Sequence, residues 1–145
     1  MNTDQDFERL NEMLKDHFTH IKNGYLGTGV GWHNLLYTLM NCIDNCLDNH
    51  NKRLKPTEEP AYLQIDQIKE KFGGLRFYAT TMNGNDYVSD SINGMIDMAE
   101  AMSYTICEEC GQPGKLRSGG WIRTLCDTHE EKRQQYYKEL DHGRL

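Results

Sequence analysis

Residues 107–129, CEECGQPGKLRSGGWIRTLCDTH, carry the most specific pattern in the chain. They contain two pairs of metal-ligand residues, Cys107-x2-Cys110 and Cys126-x2-His129, with 15 residues between the pairs. Thiolate and imidazole groups are the usual donors to a tetrahedral zinc ion, and a two-residue spacer lets one tight turn aim two donors at the same ion. Four protein ligands complete such a coordination sphere. The pattern therefore predicts one structural Zn²⁺ held by Cys107, Cys110, Cys126 and His129.

The residues around these ligands predict a treble-clef arrangement. Gly111 directly follows the first pair, where a zinc knuckle turns with positive φ. The stretch between the pairs is typical of turn, strand, Gly-Gly turn and strand, and the second pair opens a helical segment, 126–143. We therefore expect a zinc-binding module, 105–145, attached to an α+β body, 1–104, with the two forming one compact unit.

The body is predicted to contain amino-terminal helices followed by a central β-hairpin. Residues 3–22 have the period of an amphipathic helix, and a second helix begins at Trp32 after a glycine-rich loop. Residues 62–82 alternate apolar and polar side chains as two strands, with Gly73-Gly74 as the turn, and Ser89 or Asp90 is expected to cap a third helix. The apolar side of the first helix would comprise Phe7, Leu10, Met13 or Leu14, Phe18 and Ile21.

Composition limits the class of protein. The 145 residues have a formal charge of −6, and 37% of them are hydrophobic, as in a globular domain. No apolar run approaches the ~20 residues that span a bilayer, and the polar, acidic start does not resemble a secretory signal. Five cysteines, three of them at metal-ligand spacing, favour a reducing compartment over a disulfide framework. We expect a cytoplasmic protein without a membrane partner.

The second helix carries its own cysteines. Cys42, Cys46 and His50 are spaced by four and share one helix face. They offer three ligands for a second metal site, but free cysteines are common in protein cores. The core interpretation is favoured. His33 and Asn34, at the start of this helix, are expected to form a surface pair.

The zinc pattern does not predict catalysis. A histidine–metal nuclease built on a treble clef needs a general-base His on the hairpin, and residues 115–125 contain no His, Asp or Glu. A zinc deaminase needs an H-x-E motif and an open metal position, and that motif is absent. We predict a binding protein rather than an enzyme, with a metal-dependent nuclease as the weakest alternative.

Two kinds of partner fit the sequence. Residues 1–106 hold 9 basic and 15 acidic residues, whereas 107–145 hold 7 of each. Within the latter segment Lys115, Arg117 and Arg123 surround Trp121, a combination suited to phosphates and stacked bases. The alternative, which we favour, is that Trp121 packs the hairpin against the last helix. A protein partner could instead use Arg76 and Tyr78, because arginine and aromatic residues anchor interfaces.

Three sequence blocks carry a family resemblance. They are GVGWHNLLYTL (29–39), IKEKFGGLRFY (68–78) and AEAMSYTICEECGQPGKLRSGGWIRTLCDTH (99–129). Together they resemble a family of small proteins encoded in phage, prophage and bacterial genomes, to which no activity is assigned. The resemblance implies a Gly-Trp helix, a KFGGLR hairpin and a zinc knuckle in that order. It also favours a microbial or viral cytosolic protein. Together with the acidic body and the small zinc module, the resemblance suggests a phage-encoded modulator or inhibitor of a basic host protein, such as a defence protein.

Overall fold

The computed structural model describes residues 3–22 and 24–143 and contains mixed helix and strand, as predicted. In chain order the elements are α1 (Thr3–Asp16), β1 (Ile21–Lys22), β2 (Tyr25–Gly27), a 3-10 turn (Val30–Trp32), α2 (His33–Asn51), β3 (Tyr62–Lys71), β4 (Gly74–Met82), α3 (Asp86–Ser103), β5 (Lys115–Arg117), β6 (Arg123–Leu125) and α4 (Asp127–Gly143).

Strand β3 lies at the centre of the main sheet. It pairs antiparallel with β4 through a tight hairpin and parallel with β1 and β2, which follow its other edge in one register. The ladder with β4 shifts between Ile65 and Gln67, which marks a bulge at Asp66. The predicted central hairpin is confirmed. The parallel pairing of residues 21–22 and 25–27 with β3 was not predicted.

The three amino-terminal helices and the inner face of the sheet enclose one hydrophobic core. Alternation along the strands sends every second side chain to that face. Trp32, which opens α2, is completely buried there. Its neighbours in the core include Leu36, Leu39, Met40, Ile43 and Leu47 from α2, Leu63, Ile65, Ile68, Leu75 and Phe77 from the sheet, and Ile92, Ile96 and Ala99 from α3.

The first helix is shorter than predicted. It ends at Asp16, so Phe18 and Ile21 lie beyond it, although both side chains are buried in the core. Ile21 reaches the core from strand β1, where it pairs with Leu63. Residues of α1 and of β1 pack into the same hydrophobic core. The apolar spacing typical of a helix therefore continues past the end of α1. The predicted positions Phe7 and Met13 have side chains outside the described part of the structure.

Two predicted turn positions also differ. The residues that turn the β3–β4 hairpin are Phe72 and Gly73, both with positive φ (53° and 82°), while Gly74 is the first residue of β4. Helix α3 begins earlier than expected, because the Asn85 side chain accepts a hydrogen bond from the Val88 N–H and caps the helix. Ser89 and Asp90 therefore lie within α3.

Hydrogen bonds join residues 105–143 to the rest of the molecule. The Trp32 indole N–H donates to the Ile106 carbonyl at 2.9 Å, and the Gly31 N–H donates to the Glu108 carbonyl at 2.7 Å. The buried Thr124 hydroxyl donates to the Gly73 carbonyl at 2.6 Å. A Cβ at Gly31 would lie 2.1 Å from the Cys107 carbonyl oxygen, so this contact needs glycine. Among the described residues, no helix is long and apolar enough to cross a membrane.

Candidate metal centre

Cys107, Cys110, Cys126 and His129 come together in one cluster. Their donor atoms all lie within 4.8 Å of one another, and none of the cysteines forms a disulfide. The Cys110 and Cys126 sulfurs are 3.8 Å apart, and His129 Nδ1 lies 3.1 Å from the Cys126 sulfur. Two sulfurs on a tetrahedral zinc with bonds of about 2.3 Å are separated by about 3.8 Å. The four residues can therefore bind one zinc ion.

A tight turn after α3 positions the first pair. The Gly111 N–H donates to the Cys107 carbonyl at 2.9 Å, and the Cys107 N–H donates to the Gln112 carbonyl at 2.8 Å. Gly111 adopts φ +80°, as the sequence predicted. These bonds fold residues 107–112 back on themselves and place both sulfurs on the same side of the turn.

The start of α4 positions the second pair. Cys126 directly precedes the helix, and its carbonyl accepts the Glu130 N–H at 2.9 Å. His129 lies in the first turn, where its own N–H points at the Cys126 sulfur at 3.5 Å.

The imidazole of His129 is oriented by an acidic side chain. Nδ1 faces the sulfurs, whereas Nε2 lies 3.4 Å from the Glu109 carboxylate. The Arg123 guanidinium donates to the same carboxylate at 2.8 Å. A carboxylate on the second nitrogen of a zinc-bound imidazole fixes the tautomer and raises the basicity of the ligand. This role of Glu109 was not predicted, although Glu109 lies within the knuckle itself.

Glu108, between the ligands, connects the knuckle to the glycine-rich loop. Its carboxylate is buried, accepts the Gly29 N–H at 3.1 Å and contacts Arg123 at 3.3 Å. Burial raises the pKa of Glu108, and the Gly29 N–H and the arginine lower it in part. Glu108 thus lies beside the metal site but points away from it into the body.

The thiols have different acidities. Burial raises the pKa of Cys107, but backbone N–H groups of Cys126, Cys110 and Glu109 outweigh this effect and lower it overall. For Cys110 the Gln112 N–H lowers the pKa, but desolvation and the neighbouring thiols raise it overall. Collecting several thiolates at one point is unfavourable without a cation. A divalent ion removes that repulsion.

The basic residues of the β5–β6 hairpin are largely engaged within the module. Arg117 donates to the Leu125 carbonyl and forms an ion pair with Asp127 at 2.7 Å. Arg123 forms ion pairs with Glu108 and Glu109, as described above. Lys115 is exposed. The predicted cluster therefore presents one lysine, not three cations, to a phosphate backbone.

We expected Trp121 to pack the β5–β6 hairpin against α4, and this prediction was wrong. Its side chain is 68% exposed rather than packed against α4. Arg133 makes that connection instead, because its buried guanidinium donates to the Trp121 and Ser118 carbonyls and pairs with Glu130. Satisfying two turn carbonyls and a carboxylate holds hairpin and helix together without the indole ring.

The other predicted site residues lie away from the metal cluster. Arg76 and Tyr78 are on β4, on the face of the sheet opposite the core. Cys42 is exposed and Cys46 packs against the core, where burial raises its pKa. Within residues 3–22 and 24–143, three or more potential metal ligands converge only at the cluster of Cys107, Cys110, Cys126 and His129.

His33 was expected at the surface with Asn34. It is buried on the first turn of α2, and burial lowers the pKa of its imidazole. This position comes from the 3-10 turn, which places Trp32 and His33 together against the core. The surface prediction for His33 was wrong.

Comparison with known proteins does not assign the chain to a family. The chain matches no protein-family model, no curated protein and no solved structure.

Proposed function

We propose that this chain is a zinc-stabilised interaction protein. In this proposal a treble-clef module holds one structural zinc, and exposed aromatic side chains next to it bind a protein partner. The observation that carries it is the exposure of Phe72 and Trp121 on two adjacent turns. The chain acts by binding and not by catalysis.

The structural role of the metal follows from its donors. Three thiolates and one imidazole fill the four positions that tetrahedral zinc uses in structural sites. The order of knuckle, β5–β6 hairpin and α4 supports the treble-clef assignment. Metal binding of this kind contributes folding free energy, on the order of 10 kcal/mol apparent. The zinc would keep the turn that carries Trp121 in place.

The two aromatic residues line one shallow concavity of about 350 Å³. Phe72 is 65% exposed and Trp121 is 68% exposed. Ile122 and Gly120 add apolar lining, and the charged residues Glu70 and Lys71 complete the wall. Large aromatic rings at a pocket are typical anchors of protein interfaces. The concavity is wide enough to admit an apolar side chain of a partner.

The backbone of Phe72 supports a role for its exposed ring. A non-glycine residue at φ +53° has an unfavourable conformation, of order 1–2 kcal/mol. Asparagine or glycine would turn the hairpin at lower cost. Retaining a phenylalanine there, with its ring in solvent, fits a binding role better than a role in stability.

The kind of partner rests on the resemblance to phage and prophage proteins. It favours a host protein, such as a defence protein, that the chain modulates or inhibits in the cytoplasm. The alternative of nucleic-acid binding through residues 115–123 is weakened, because the guanidinium groups of Arg117 and Arg123 are engaged in ion pairs.

Affinity capture from bacterial lysate tests the proposal. The immobilised chain is compared with Trp121→Ala and Phe72→Ala, and with Tyr87→Ala, which removes an 80% exposed ring from α3 as a matched control. Proteins that persist after nuclease treatment, are lost in the first two variants and are retained by the control would support the proposal. A bound set that is identical for all four chains, or empty for the parent, would contradict it.

A further inference from the structure

The face of the main sheet opposite the core carries a concentration of basic residues. The four short and long strands of this sheet contain Lys22, Lys69, Lys71 and Arg76, against the acidic residues Asp66 and Glu70. Because alternate residues share a face, all four cations project away from the core, and Glu70 projects toward the other side. Asp66 lies at the bulge. A chain with net charge −6 thus has a locally positive sheet face.

Two of these cations face each other directly. Lys69 pairs with Arg76 in the β3–β4 ladder, so their side chains leave the sheet side by side. Like charges at directly opposed positions destabilise an antiparallel pair. The Arg76 guanidinium donates to the Tyr104 hydroxyl at 3.2 Å and to the Leu75 carbonyl, and the Glu100 carboxylate compensates its charge in part, which helps to raise the pKa of Arg76. An anion bound between the two side chains would remove the repulsion.

Aromatic rings alternate with the cations on the same face. Tyr25 pairs with Gln67, which pairs in turn with Tyr78, so one row across three strands carries two tyrosines and an amide. The Lys69 ammonium lies 5.6 Å from the Tyr78 ring centre. Tyr25 is 64% exposed and Tyr78 is 44% exposed.

A second lysine–tyrosine pair lies farther along the sheet. The Lys22 ammonium is 4.3 Å from the centre of the Tyr62 ring. Lysine has a long flexible stem, so each ammonium can move from its ring to a nearby phosphate and leave the ring free for stacking. None of these outward side chains belongs to the hydrophobic core of the described residues.

We propose that this open sheet face binds single-stranded nucleic acid. Phosphates would contact Lys22, Lys69 and Arg76, and bases would stack on Tyr25 and Tyr78, with Gln67 between them as a hydrogen-bonding group. Aromatic side chains on an exposed sheet are a general means of binding unpaired bases, and basic side chains beside them follow the backbone. A purely acidic segment would satisfy the cations and leave the rings unused, whereas an unpaired nucleic-acid strand offers a phosphate and a flat base at every nucleotide and so uses both. Lys71 borders both this face and the Phe72–Trp121 concavity, but the phosphate and base contacts proposed here do not use it, so the inference is tested separately from the proposed function.

Fluorescence anisotropy with a labelled oligothymidylate of about 15 nucleotides tests the inference. We expect binding at low salt that weakens steeply between about 50 and 200 mM. Tyr78→Ala should weaken binding roughly tenfold by removing one stacked base. Lys69→Gln should lower the magnitude of the salt slope by about 0.7, the value for one phosphate contact on a single strand.

The design includes a folding check and matched controls. Lys69→Gln removes one of two opposed like charges, so its melting temperature should equal or exceed that of the parent. Tyr87→Ala and Lys132→Gln remove an exposed ring and an exposed charge from helices, and both should bind as the parent does. Absence of binding at the lowest salt would overturn the inference. So would equal affinity for the matching duplex, or binding to polyglutamate as tight as to the oligonucleotide and unaffected by Tyr78→Ala.

Discussion

The Glu109 carboxylate lies 3.4 Å from Nε2 of His129, on the side of the imidazole that faces away from the three sulfurs. Because Nδ1 is the nitrogen nearest the sulfurs, the imidazole can carry its hydrogen on Nε2, and this N–H can donate a hydrogen bond to Glu109. Arg123 holds the carboxylate in turn. Two side chains that are not ligands thus determine how the fourth ligand is presented.

Glu109→Gln should weaken zinc binding without abolishing it. The amide keeps the shape of the side chain but loses the charge that polarises the imidazole, and changes in such supporting groups typically cost 10- to 100-fold in metal affinity. Competition with a chromophoric chelator measures the change. Glu131→Gln, an exposed position on α4, is the matched control. Equal affinities for the two variants would show that Glu109 does not support His129.

The freshly purified chain should contain one equivalent of zinc. Cys110→Ser should lose the metal and loosen residues 105–143, because three remaining donors leave the tetrahedral site incomplete. Metal analysis by mass spectrometry and amide hydrogen exchange provide the measurements. Cys42→Ser, on an exposed position of α2, should keep the full equivalent. Two equivalents in the parent would instead revive a second site on α2.

Phe72→Asn should stabilise the fold. Asparagine tolerates the left-handed conformation that Phe72 now adopts, and Asn-Gly is the preferred pair for a two-residue hairpin turn with positive φ at both positions. We expect a gain of about 1 kcal/mol in the free energy of unfolding. Thermal and denaturant unfolding measure it. A decrease in stability would mean that the exposed ring makes a stabilising contact.

Gly73→Ala is the opposite test of the same turn. Gly73 has φ +82°, and a Cβ there would lie 2.4 Å from the Leu116 side chain. The Leu116 side chain is half-exposed and can shift, so the cost comes mainly from the strained backbone and should be about 1 kcal/mol. The melting temperature should fall. An unchanged value would place the turn elsewhere.

Acidification should destabilise the fold partly through His33. Burial lowers the pKa of its imidazole, so the unfolded chain binds a proton more readily than the folded one. The contribution to stability is complete above the unfolded pKa of about 6.5 and decreases as the pH falls below it. His33→Gln should therefore flatten the dependence of unfolding free energy on pH between about 7.5 and 5.5. Parallel curves for parent and variant would contradict this assignment.

The metal cluster could be predicted because its signal is local. Spacings of two residues within each pair, and Gly111 after the first, are set by turn geometry alone. Trp121 shows the limit of the same argument. Sequence could not reveal that Arg133, twelve residues away, fastens the hairpin to α4 and leaves the ring in solvent.

The basic outer face of the main sheet could not be predicted from the sequence either. Net charge over 1–106 is negative, and the cations that form the positive face come from three separate stretches of sequence. Only the parallel pairing of residues 21–22 and 25–27 with β3 brings Lys22 and Tyr25 onto the same sheet face as Lys69 and Tyr78. Periodicity reports which residues share a face of one strand, but not which strands become neighbours.

The hydrogen bond from the Gly29 N–H to the Glu108 carboxylate connects residues 79 positions apart. Closing so large a loop is entropically slow, and contacts of this kind delay folding relative to local helices and hairpins. The four zinc ligands all lie within residues 107–129, so the metal site closes a much shorter loop. Zinc capture and docking of the knuckle are therefore separable in time, and a metal-loaded module should exist briefly before it is seated. Stopped-flow refolding with zinc added at different delays would resolve the two steps as phases of different rate.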